Sequence, residues 1–270
     1  MRVLPSSSLL PLPAARAVEA LQGLGYSSIE LNFYNINLEG VDSYSVFNRY
    51  LSAFQAAAEL GVRVEVVHLP WESYLAPFVG RGVDAVVSEL KSLVELAAEY
   101  GVRIAVVHPL PYRYVGRGRG WWFNRRMLAA LSSLTEDTGV VIAVENLARE
   151  SPWSRVEELA SLVESIGAGN LGLCLDIGHA NINSSDAALL VDDILARNVM
   201  VCAHLHDNDG VSDSHAAPGC GSVDWLQLAK MLRDKDIVGV NEVHCRASGA
   251  PQCVSQAAAA QLALQGLLGV

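Results

Sequence analysis

A chain of 270 residues, 51% of them apolar, can bury a large core, and its length suits one barrel-sized domain or two small ones. Its net charge of −10 disfavours non-specific attraction to phosphate backbones, and no run of about 18 uncharged apolar residues is present to span a membrane. Met1-Arg2-Val3 leads into a strand-like segment rather than a leader, so a soluble, cytoplasmic protein with no membrane partner is expected.

Short β-branched runs alternate with Ala/Leu/Glu-rich amphipathic segments from end to end, the signature of parallel βα units. The strands fall near Arg2 to Leu4, Ser28 to Asn32, Arg63 to His68, Arg103 to His108, Val140 to Glu145, Leu171 to Asp176, Val199 to His204 and Ile237 to Glu242. Helices fall between them, near 14 to 23, 44 to 60, 83 to 100, 122 to 138, 155 to 166, 186 to 197, 223 to 234 and 252 to 267. Gly25, Gly61, Gly101, Gly139, Gly167 and Gly172 each stand between a helical pattern and the next strand, where a left-handed cap or tight turn is wanted. Eight such units without a seam predict one α/β domain over 1–270, a closed (β/α)8 TIM barrel rather than an open doubly wound sheet. No G-x-G-x-x-G follows the first strand, which weakens a dinucleotide fold further.

Six strands end in a residue that can bind a metal: His68, His108, Glu145, Asp176, His204 and Glu242. In a barrel all strand C-termini open on one face, so these side chains should converge although they are far apart in sequence. A lone strand-end histidine is more often a hydrogen-bonded core residue, but six coincidences on consecutive strands make that reading poor for the set. The densest stretch, His204 to Trp225, packs three His and four Asp behind the apolar run Val199 to Ala203, and such crowding calls for a cation or tight hydrogen bonding. His179 and the Asp213-x-His215 pair lie just past strand ends and suggest further metal positions. Nitrogen and oxygen donors without thiolates suit Zn, Mn, Co, Fe or Mg, with the His count favouring the transition metals.

Other residue types narrow the chemistry. The five cysteines are odd in number and lack C-x-x-C spacing, so reduced, mostly buried thiols are expected. Lysine occurs only at Lys91, Lys230 and Lys235, in helix-like segments, which argues against a Schiff-base aldolase. One basic segment stands out, with Arg103, Arg113, Arg117, Arg119, Arg125 and Arg126 uninterrupted by acid and interleaved with Trp121, Trp122 and Phe123.

The pieces Val-Glu-Asn at 144–146, Leu-Asp-Ile-Gly-His at 175–179, and His-Leu-His-Asp-Asn through Pro-Gly-Cys-Gly at 204–221 give the chain a resemblance to the xylose-isomerase-like barrel superfamily. That superfamily includes sugar isomerases, ketohexose epimerases and endonuclease IV, and the resemblance covers essentially the whole chain. The nuclease branch implies a trinuclear site: His68, His108 and Glu145 on one metal, Glu145, Asp176, His204 and Glu242 on a second, and His179, Asp213 and His215 on a third. The epimerase branch implies only the second, with Glu145 and Glu242 also exchanging protons with substrate. Between one and three divalent ions per chain are therefore expected.

Moving a proton beside a sugar carbonyl needs an acid/base pair and a cation to stabilise the enediolate, and Glu145 and Glu242 fit by position. The expected function is a divalent-metal-dependent isomerase or epimerase of sugars or sugar phosphates, a reading also implied by resemblance to the sugar phosphate isomerase/epimerase group. His68 and His179, with Trp71 as a stacking wall (Tyr74 being another) and Arg113 and Arg117 as an anion clamp, would bind the carbohydrate. A metal-dependent phosphodiesterase acting on abasic DNA is the alternative, because the same nine ligands would serve it. A barrel that holds metal and binds a ligand without catalysis is a third. The sequence is compatible with a homo-oligomer and does not choose the sugar or the metal.

Overall fold

The computed structural model describes residues 1–38, 42–149, 152–184, 187–245 and 250–269. Eight parallel strands form one sheet: β1 (Arg2–Pro5), β2 (Ser28–Leu31), β3 (Arg63–His68), β4 (Ile104–Val107), β5 (Val141–Glu145), β6 (Leu171–Asp176), β7 (Met200–Leu205) and β8 (Val238–Asn241). Each pairs with its sequence neighbour from β2 to β8, and β8 pairs with β1. The ring closes through a single parallel bridge, Ser6 to Glu30. This is a (β/α)8 TIM barrel, and its strands lie within two residues of the expected ends.

The strands are apolar on both faces because both are covered. Leu4, Val66, Ile104, Val106, Ala143, Cys174, Cys202 and Val240 fill the interior, while a larger apolar layer packs between sheet and helices. The eight expected helices are found at Ala14–Gly23, Ser43–Glu59, Val83–Glu99, Gly120–Thr135, Val156–Ile166, Ala187–Arg197, Trp225–Leu232 and Ala250–Leu268. Residue 186, expected to begin one of them, lies outside the described residues. The end of the fourth, 136–138, is a 3₁₀ turn. Four short helices that the sequence reading did not anticipate follow strand ends: Phe33–Asn37, Glu72–Val79, Tyr112–Val115 and Ile177–Asn183. Two are started by polar residues from the strands, Asn32 accepting from Tyr34 N at 2.9 Å and Asp176 accepting from His179 N at 2.6 Å.

Two expectations need correction. Gly172 is not a cap: it lies inside β6, where a Cβ would come within 2.7 Å of the Val201 side chain. The other five glycines do adopt positive φ. Nor are all cysteines reduced, for Cys245 and Cys253 form a disulfide. Their Cα atoms lie 5.3 Å apart across a sequence separation of 8, a proximity that spacing alone did not reveal. Cys174 and Cys202 are buried thiols and Cys220 is exposed. No helix among the described residues is long and apolar enough to cross a membrane.

Candidate metal centre and substrate cavity

All six strand-end residues meet at the C-terminal rim. Glu145 ends β5 and Asp176 ends β6, while His108 and Glu242 stand one residue past β4 and β8. Their ligand atoms interleave closely. His204 Nδ1 lies 3.1 Å from Glu242 Oε2, 3.2 Å from Glu145 Oε1 and 3.9 Å from Asp176 Oδ2. Donor atoms of these four residues all lie within 4.8 Å of one another. His68 Nε2 and His108 Nε2 approach the other Glu145 oxygen, Oε2, at 3.0 and 3.1 Å. His179 Nε2 and His215 Nε2 stand 3.1 and 3.5 Å from the Asp213 carboxylate. The nine residues thus adjoin one another at the rim, with His68 and Glu145 meeting at His204 and with His206 joining His179, Asp213 and His215.

The outer ring nitrogens fix the tautomers. Nδ1 of His68, His179 and His215 donates to the carbonyls of Leu69, Asn146 and Glu242 at 2.7–2.8 Å, and His108 Nδ1 donates to Glu72 Oε2 at 2.8 Å. A carbonyl can only accept, so the three carbonyl-bonded rings carry their proton outside and turn Nε2 toward carboxylates. In a neutral ring that nitrogen presents a lone pair to an anion, which is unfavourable unless a proton or a metal ion intervenes. His204 makes the same point more sharply. Both its nitrogens are buried without a directed hydrogen bond, although carboxylate oxygens crowd around them. Ligand type, burial and these unpartnered atoms fit a divalent cation at Glu145, Asp176, His204 and Glu242.

Without metal, protons take its place. Burial opposes charge on His108, but the Glu145 and Glu72 carboxylates outweigh it and raise its pKa to about 9. Burial likewise works against charge on His179, and Asp176, Asp213 and Glu145 carry it well above the usual imidazole range. Glu145 is the converse: burial disfavours its charge, and His204 and His108 hold it well below the ordinary carboxylate range.

The clusters open into a cavity of about 270 Å³. Seven of the nine expected ligands line it, with Asp176 and His204 buried just beneath. Trp71 forms a wall, as expected, and is held edge-on by Phe33. Tyr74 packs behind on Phe33 and is not part of the lining. Neither are Arg113 and Arg117: Arg113 pairs with Glu72 at 3.1 Å and lies over the Tyr114 ring, and Arg117 is exposed on the next loop. The basic segment does not make one patch. Arg103 precedes β4 at the opposite end of the barrel, Arg125 bonds the Ser165 carbonyl, and Arg126 pairs with Asp84 beside Trp122.

Sequence reasoning passed over several residues of the site. His206 bonds Asp176, and it stacks on His215, which stacks on His244, at centroid separations of 3.8 and 3.9 Å. Burial and the neighbouring His215 lower the His244 pKa to about 3, so this cavity-lining imidazole is neutral. Asn32 and Tyr34 also line the cavity, and Glu30 lies below it. The two-residue period carried the signals: His206 follows His204, and His244 follows Glu242, by one repeat.

Parallel (β/α)8 architecture with a polar cavity at the strand C-termini defines a barrel of the enzyme-bearing type. The chain belongs to the xylose isomerase-like TIM barrel family, whose sequence model matches residues 18–265. An uncharacterized protein of Methanocaldococcus jannaschii is 30% identical over 120 residues, 43% of this chain and 41% of that protein. D-psicose 3-epimerase of Enterocloster bolteae is 29% identical over 116 residues, 42% of this chain and 36% of that one. The matches thus span less than half the length of these relatives. Among solved structures, a D-tagatose 3-epimerase-like protein aligns over 100% of this chain and 98% of its own with TM-score 0.78 and 20% identity. D-psicose 3-epimerase of Clostridium cellulolyticum, solved with D-tagatose, aligns over 99% of both chains with TM-score 0.76 and 15% identity.

Proposed function

We propose that the protein is an enzyme, a divalent-metal-dependent isomerase or epimerase of sugars. The observation that carries this reading is the convergence of two carboxylates from non-adjacent strands, Glu145 and Glu242, on one histidine nitrogen at the floor of a sugar-sized cavity. Likeness to sugar epimerases in fold, and in part in sequence, supports it.

Glu145, Asp176, His204 and Glu242 would hold the principal ion, Mn, Co, Zn, Fe or Mg. Bound there, it supplies Lewis-acid stabilisation of the oxyanion that develops when a carbon beside a carbonyl loses its proton. One of the two glutamates removes that proton and the other returns one, to the opposite face for epimerisation or to the neighbouring carbon for isomerisation. Asn32 donates to Glu242 Oε1 at 2.6 Å and His108 to Glu145 Oε2, which fixes the direction of both carboxylates. Trp71 and Tyr34 offer faces to the apolar side of a sugar, and His68 and His179 offer polar atoms to its hydroxyls. Arg113 and Arg117 would meet only a substituent reaching past the cavity, such as a phosphate.

The second reading, a phosphodiesterase for abasic DNA, is favoured by the His179, Asp213 and His215 cluster, which a one-metal epimerase does not need. Protein purified without chelator, counted for metal and offered a ketose panel in deuterium oxide, tests the proposal. Product labelled at the reacting carbon is expected. Turnover without label would indicate a hydride shift, and cleavage of an abasic duplex with no sugar turned over would put the nuclease in its place. Bound metal with neither activity would leave a binding barrel.

A further inference from the structure

Glu30 is fully buried on β2, yet nothing in the chemistry above uses it. Its Oε1 faces His204 Nε2 at 3.3 Å, and both atoms are buried without a directed hydrogen bond. Its Oε2 accepts from Asn32 Nδ2 at 3.1 Å, and the same amide donates to Glu242 Oε1 at 2.6 Å. One carboxylate therefore addresses two of the four residues in the principal cluster, His204 directly and Glu242 through Asn32.

Burying an anion beneath Glu145, Asp176 and Glu242 is costly, and an apolar residue would fill the space at less expense. The cost is offset if the carboxylate does work on the ring beside it. His204 can offer the Nδ1 lone pair to a cation only when its proton sits on Nε2, and a carboxylate opposite Nε2 selects that tautomer and raises the basicity of Nδ1. The Asn32 amide spends both hydrogens on carboxylates, so Glu30 also fixes its orientation and with it the direction of Glu242.

We propose that Glu30 is a positioning residue that holds His204 in the Nδ1-presenting tautomer and, through Asn32, aims Glu242 at the same point. This rests on the metal-dependent reading above. The test titrates Co(II) into full-length, metal-free wild type, Glu30→Gln and Glu30→Ala, following the visible absorption of the bound ion, heat of binding and thermal melting. Glu30→Ala should bind Co(II) about 10- to 100-fold more weakly with an altered absorption spectrum. Glu30→Gln, whose amide oxygen still accepts from Nε2–H, should recover part of that loss and serves as the folded variant if the alanine protein is unstable. Wild-type affinity and spectrum in both variants, or a lowered melting temperature with Co(II) binding intact, would reduce Glu30 to a structural residue and overturn the inference alone. No Co(II) binding by wild type would overturn the metal-dependent reading as well.

Discussion

His206 Nε2 stands 3.0 Å from each of the two carboxylate oxygens of Asp176. The ring reaches that position by passing over the backbone of Gly178, where a Cβ would lie 1.9 Å from His206 Cε1. His215 stacks on His206 and leaves it no room to retreat. Gly178 does not have positive φ, so its requirement is one of space alone. Gly178→Ala is expected to destabilise by about 1–3 kcal/mol or more and to displace His206 from Asp176. Denaturant unfolding measures it, and an unchanged midpoint would refute it.

Asp207 organises the loop that carries Asp213 and His215. Its buried carboxylate accepts from the backbone N–H of Asn208, Gly219, Gly221 and Val223 at 2.8–3.2 Å and from Trp225 Nε1 at 3.1 Å. A Cβ on Gly221 would come within 2.1 Å of the Asn208 carbonyl and 2.3 Å of that carboxylate, which accounts for the glycine at 221. Asp207→Ala leaves these donors unmatched, at about 1–3 kcal/mol for each one that stays buried. A loss of at least about 3 kcal/mol and new proteolytic cleavage between 208 and 222 are expected. Wild-type resistance to protease would show that the loop holds without it.

Glu145→Gln and Glu242→Gln keep size and an oxygen ligand but remove the basic carboxylate. Each should lower kcat for a sugar substrate by ~10² to 10⁴ while retaining part of the metal. Solvent deuterium exchange should fall with kcat. Activity within threefold of wild type in either variant would remove that glutamate from proton transfer.

The pair of Glu72 and His108 should contribute most to the stability of the metal-free protein in mildly acidic solution. Glu72 is opposed in its charge by burial, but its hydrogen bond to His108 lowers its pKa from 4.5 to about 2. A depressed carboxylate contributes stability above 4.5 that is lost as pH falls through 2. His108, raised from 6.5 to about 9, contributes stability below 6.5 that is lost as pH rises through 9. The two contributions overlap fully between 4.5 and 6.5, where Glu72→Gln should be most damaging relative to wild type. Urea midpoints across pH in the presence of chelator check this, and a difference independent of pH would exclude the pair.

The raised imidazoles carry a further expectation for metal uptake. A cation must displace the protons that His204 and its neighbours hold in its absence. Affinity for Mn(II) should therefore climb as pH rises from 6 toward 9, with protons released to buffer. Calorimetry in buffers of different ionisation heat measures that release, and zero release would contradict the arrangement.

The barrel was legible because buried parallel strands are apolar runs and most helix ends carry glycine. The convergent residues were legible for a geometric reason: a His, Asp or Glu recurred at the C-terminal end of strand after strand. Glu30 was not legible because it stands two residues before Asn32, the expected end of its strand, inside a segment that reads as ordinary barrel wall. The short helices after β2, β3, β4 and β6 escaped because a single turn or two is too brief to show a period. The bond between Cys245 and Cys253 was not legible because a separation of 8 with an odd total of cysteines does not by itself select a pair.

The single bridge between Ser6 and Glu30 makes the barrel resemble a curled sheet fastened by a latch. Elsewhere along that seam side chains substitute for the missing ladder: Asn32 N donates to Ser7 Oγ at 2.8 Å, and Ser7 Oγ to Asn35 Oδ1 at 2.8 Å. The other seven junctions are parallel ladders, so hydrogen exchange is expected to be faster along this seam than along the paired strands. The residue at the latch is also the one that faces His204. Glu30 therefore ties the junction of the first strand with the second to the histidine at the floor of the cavity, and a disturbance of that junction is expected to reach His204.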